Sequence, residues 1–152
     1  MKATALMAML ISALAVAGCV QQTAMTKAPP SPVMSAAEAR MSLVEQRKEE
    51  MLRELATCES GGHGEADKPI YGGRGAFVGR FQFMPRTVVA YVQQRDGRQL
   101  SLREATDLAH DYRQSMDLAK YMIFEQGRIN DWPVCSRRLG LAQQVAQIKS
   151  AE

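Results

Sequence analysis

The chain has 152 residues, with 19 Lys and Arg against 16 Asp and Glu and a formal net charge of +3. So mild a balance argues neither for nucleic acid nor for a strongly basic membrane patch, and a short cluster such as Arg137-Arg138 reads as solvated surface. From Ser35 onward the length suits one small domain with one core, and no internal repeat is visible.

In chain order, Met1-Lys2 precedes an apolar run over residues 3–17 and then Gly18-Cys19. A charged start, a short apolar stretch and small residues read as an export signal, because a membrane span needs about 20 apolar residues. Residues 20–32 are polar and proline-bearing, without apolar periodicity, and read as an extended tether. Ser35-Ala36-Ala37-Glu38 has the form of a capping box. Behind it Met41, Val44, Met51, Leu52 and Leu55 recur at helical spacing up to Cys58, and Gly61-Gly62 stops the helix. Turn residues through 61–79 predict a short hairpin within 70–83. Pro85 suits a first helical turn, and Asp96-Gly97 breaks that helix. Ser101-Leu102-Arg103-Glu104 is a second capping box. Ala105, Leu108, Ala109, Tyr112, Met116, Ala119 and Ile123 then predict one amphipathic helix to Gly127, with His110 on its polar side. Trp132-Pro133 opens a closing segment, and residues 142–152 read as a tail.

The chemistry concentrates at Cys58-Glu59-Ser60-Gly61-Gly62. A carboxylate at a helix end, beside a cysteine that can pin it, suits a general acid at the edge of a cleft. A general acid that works near neutral pH needs a carboxyl whose pKa is raised by desolvation. Tyr71, Phe81, Phe83, Met84 and Trp132 are available as the apolar wall. Taken alone, a glutamate at a helix end is more often a surface residue. The Phe81-Gln82-Phe83 alternation also reads as strand packing, and a strand then points Gln82 alone away from the core and into the cleft. His63 and His110 lack partners, the glycines lead to no Gly-Lys-Ser/Thr phosphate loop, and no Ser-His-Asp arrangement appears.

Glu59-Ser60-Gly61-Gly62 followed by Gly79-Arg80-Phe81-Gln82-Phe83-Met84-Pro85-Arg86-Thr87 resembles the soluble lytic transglycosylases, with their Glu-Ser, Gly-x-x-Gln and Met-Pro-x-Thr pattern. With Trp132-Pro133-Val134-Cys135 the chain is also similar to the resuscitation-promoting-factor domain of the same lysozyme-like superfamily. The likeness covers about residues 50 to 141. It implies a mainly α, lysozyme-like (α+β) domain in which a hairpin flanks a glycan cleft. It also implies catalysis by Glu59, with Ser60, Gln82 and Thr87 near the saccharide and Tyr71, Phe83 and Trp132 lining the cleft. Met84 and Pro85 match as structural positions. Two departures stand out: Asp131-Trp132-Pro133 replaces the transglycosylase Ala-Tyr-Asn segment, and the loop over 62–79 follows neither family.

Val16-Ala17-Gly18-Cys19 is similar to the bacterial lipobox, which implies diacylation of Cys19 and a membrane anchor, since two chains hold where one does not. The alternative is plain secretion with a free thiol. The implied organisation is a signal over 1–18, a lipidated cysteine and tether over 19–34, the domain over 35–141 and a tail over 142–152. Loss of Lys2 with the signal leaves 18 − 16 = +2. Cys58 and Cys135 then remain for an oxidising compartment, where a disulfide is the default and matches the resuscitation-promoting-factor pair. The competing reading is a metal site of Cys58, His63 and Cys135 with Glu65 or Asp67, without the close Cys or His pairs that zinc sites use; no metal or cofactor is expected.

The function so implied is cleavage of the MurNAc–GlcNAc linkage of peptidoglycan, with glycan strands and the membrane as partners and no nucleic acid. Its place would be the cell envelope, on the periplasmic face of the outer membrane in a Gram-negative cell. Transglycosylation is favoured over hydrolysis, because only one carboxylate has a motif around it and hydrolysis normally uses two. The other readings are a muramidase-type hydrolase, a non-catalytic wall-binding lipoprotein and an accessory to a secretion, conjugation or pilus machine.

Overall fold

The computed structural model describes residues 35–64 and 69–152. The export signal, Cys19, the tether and the loop carboxylates Glu65 and Asp67 lie outside the described residues. Within them the chain is mainly helical: α1 (Ala36–Ser60), β1 (Tyr71–Gly72), β2 (Phe77–Val78), α2 (Pro85–Asp96), α3 (Leu102–His110), α4 (Tyr112–Lys120), α5 (Pro133–Leu139) and α6 (Leu141–Lys149). A π-helical turn over Tyr121–Glu125 and short 3-10 turns complete it. No described helix is long and apolar enough to cross a membrane.

Both halves of the first capping box form. The Ser35 amide donates to Glu38 Oε2 at 2.7 Å, and the Glu38 amide donates to Ser35 Oγ at 3.2 Å. At the other end Gly61 takes a left-handed conformation, φ 68°, and its amide reaches the Thr57 carbonyl, as expected for a glycine stop. Val44, Met51, Leu52, Leu55 and Ala56 bury one face of α1, which packs against α4, α5 and α6. The buried stripe begins only at Val44: Met41, expected within it, is 67 % exposed.

The expected single helix from Ser101 to Gly127 is instead two. Asp111 sits at ψ 109° and its Oδ1 accepts the Gln114 amide at 3.0 Å, so it caps a new helix rather than continuing the old one. An aspartate competes for nearby backbone amides, and here that local preference overrides the apolar periodicity. The change of register also corrects the expectation for His110. It is 7 % exposed, with Nε2 3.4 Å from the Ile70 carbonyl and its ring edge-on to Tyr71.

Residues 142–152, expected as a tail, contribute most of α6. Gly140 at φ 63° lets the chain reverse after α5, and Leu141 and Ile148 then enter the core beside α1. Cys58 and Cys135 are bonded, joining the last turn of α1 to α5 across 77 positions. Closing a loop of that length restricts the unfolded chain by about 4 kcal/mol in the chain-entropy account.

Candidate active site

The hairpin expected within 70–83 forms, with Tyr71 opposite Val78 and Gly72 opposite Phe77. The chain then turns through 79–82, and Val78 and Phe83 exchange backbone hydrogen bonds of 2.8 and 2.9 Å. Gly79 makes this turn possible, since at φ 73° any Cβ would run into the Ala109 carbonyl oxygen at the end of α3. Gln82 closes the turn at φ 50°, an uncommon conformation for a side chain of its size. Its Nε2 donates to the Gly79 carbonyl at 2.8 Å, and its Oε1 lies where a Cβ on Gly72 would be. The two glycines of the hairpin thus seat the Gln82 amide from both sides.

Gln82 opens onto a groove of about 430 Å³. Phe77 and Phe83 line it from the hairpin, Met84, Arg86, Thr87 and Tyr91 from the N-cap and first two turns of α2, and Met122, Arg128, Asp131 and Trp132 complete the lining. Trp132 is 4 % exposed, sits edge-on to Phe83 and donates its indole N–H to the Phe81 carbonyl at 2.7 Å. It is therefore a fixed wall, held by a buried backbone oxygen. Thr87 is half-buried in the first turn of α2, where Met84 gives no side-chain cap and Pro85 takes the first helical position. Arg128 and Asp131 form a two-point ion pair, 2.8 and 3.1 Å.

Glu59 occupies the penultimate position of α1 and is half-buried. Burial pushes its carboxyl above the ordinary glutamate value, and no donor or cation among the described residues offsets that. Cys58 beside it is bonded to Cys135, three residues after Trp132, so one covalent link fixes the Glu59 turn and the groove's far wall together. Ser60 is buried, but its Oγ donates to the Ala56 carbonyl at 2.7 Å and so serves the helix end first.

No family model, curated protein or solved structure matches the chain.

Of the residues expected at a cleft, the structure gathers Gln82, Phe83, Thr87 and Trp132 around one groove. Glu59 and Ser60 do not line it, and Tyr71 is 55 % exposed against His110 outside it. His63 lies exposed in the loop after α1, as expected. The cysteines are consumed by their bond, which removes the metal reading of Cys58, His63 and Cys135. Sequence reasoning missed the Arg128–Asp131 pair and the cation of Arg86. The i, i+3 spacing of Arg128 and Asp131 was the available signal. Their place in the groove depended on the π-helical turn at Tyr121–Glu125, after which the Arg128 amide returns to the Met122 carbonyl at 2.8 Å.

Proposed function

We propose that the protein cleaves the MurNAc–GlcNAc linkage of peptidoglycan from a lysozyme-like domain anchored to the envelope by lipid on Cys19. The observation that carries this reading is Glu59: a half-buried carboxyl at a helix end, its proton held by burial, with no counter-charge among the described residues and a disulfide beside it. These are the properties a general acid needs, and a surface glutamate lacks them. The groove supports the reading with one seated amide, Gln82, among aromatic walls, a combination suited to sugar hydroxyls and acetamido groups.

In the proposed reaction Glu59 gives its proton to the glycosidic oxygen as the bond to C1 breaks. The resulting carboxylate then takes the proton of the muramic C6 hydroxyl as O6 bonds to C1. Glu59 ends protonated, no water is consumed, and a 1,6-anhydro end is left. Transglycosylation is preferred over hydrolysis because, among the described residues, the groove's one carboxylate, Asp131, is committed to Arg128 rather than free to act as a second base. A glycan clamp without cleavage is the second reading, favoured by the absence of Glu59 from the groove lining. Mass spectrometry of material released from purified sacculi separates the three. Anhydro ends support the proposal, reducing ends make the protein a hydrolase, and sacculi that are bound but not cut make it a clamp.

A further inference from the structure

Among the described residues, three charged side chains line the groove: Arg86, Arg128 and Asp131. Arg128 and Asp131 satisfy each other at two points, so their charges cancel locally. Arg86 is exposed on the first turn of α2 and makes no ion pair among the described residues. Among the described residues the groove therefore carries one unbalanced positive charge, in the same lining as the seated amide of Gln82. The uncapped start of α2 adds to the positive potential there.

We propose that Arg86 is a specificity-determining residue that selects glycan bearing carboxylate-containing stem peptides over bare glycan. The inference rests on the peptidoglycan reading above. A neutral sugar ring offers a guanidinium hydroxyl acceptors but no counter-charge, whereas the peptide carried on the muramic lactyl group brings free carboxylates. The guanidinium fork matches a carboxylate at two points, which a lysine or an amide does not. Arg86 would then act alongside Gln82, the amide holding the sugar and the cation holding its acidic substituent.

The test compares the full chain on two polymers: peptide-bearing glycan strands, and the same strands stripped of peptide by an amidase. Both binding and cleavage are measured. The parent should bind the peptide-bearing strands more tightly, and Arg86→Gln should shrink that ratio about fivefold, the order expected of one exposed charged pair. Arg86→Lys should recover part of it. The ratio should also fade in molar salt, where screening shortens to about 3 Å. A ratio unchanged in Arg86→Gln, or a preference that survives molar salt, overturns the assignment. A parent that cuts neither polymer yet still binds the peptide-bearing one preferentially, through Arg86, would overturn the cleavage reading and uphold this one.

Discussion

Glu59 carries a stability signature as well as a chemical one. Its raised carboxyl stays protonated in the fold over a pH range in which the unfolded chain has already ionised it. The native state binds more protons there, so stability falls as pH rises from the ordinary glutamate value through the raised one. Glu59→Gln should accordingly melt higher than the parent at pH 7, with the gain vanishing below about pH 4. Thermal unfolding across that range checks it, and a variant that melts lower at neutral pH would mean that the carboxylate is stabilised by something else. Trp132→Phe should behave oppositely. It keeps the ring against Phe83 but leaves the buried Phe81 carbonyl without its donor, at a cost of about 1–3 kcal/mol by denaturant titration. Gly79→Ala combines a left-handed conformation with a backbone collision and should destabilise by about 2–4 kcal/mol. At this scale the sequence was legible where a residue's role is local: Gly61 as a helix stop, Ser35 and Ser101 as caps. It was misleading for His110, which meets the Ile70 carbonyl forty positions away, a contact that no local pattern encodes.

At the scale of elements, the disulfide holds the end of α1 to α5, so the Glu59 turn and the Trp132 wall share one crosslink. Replacing both cysteines by serine should lower stability by about 4 kcal/mol. Chemical unfolding under reducing and non-reducing conditions measures this, and a parent insensitive to reductant would contradict it. The helices with paired start and stop signals, α1 and α2, were readable in advance. The helix expected from Ser101 to Gly127 was readable only at its capped start: the apolar stripe from Ala105 to Ile123 persists across Asp111, but the aspartate caps α4 and divides it. α6 was missed because Leu141, Val145 and Ile148 make only a short stripe, and their burial depends on α1 lying opposite.

For the molecule as a whole, the fold places a hairpin, the start of α2 and the segment before α5 around one groove, with a desolvated carboxyl at the end of α1. The export and lipid reading adds a location to that chemistry. Cys19→Ser should release the protein from membranes or leave it unprocessed, and a variant that is processed and fractionates like the parent would remove the anchor. The groove's lining was half legible, through Gln82, Phe83 and Thr87 on one continuous stretch, while Arg128 and Asp131 entered it only through the turn that follows α4. The central claim is that Glu59 donates and then recovers the proton of glycan cleavage. Its most direct test is digestion of purified sacculi by the parent and by Glu59→Gln, with released fragments identified by mass spectrometry. The parent should release fragments with 1,6-anhydro ends, and Glu59→Gln should still fold and bind sacculi but release at least about 10⁴-fold less. Release by Glu59→Gln at the parental rate would contradict the account.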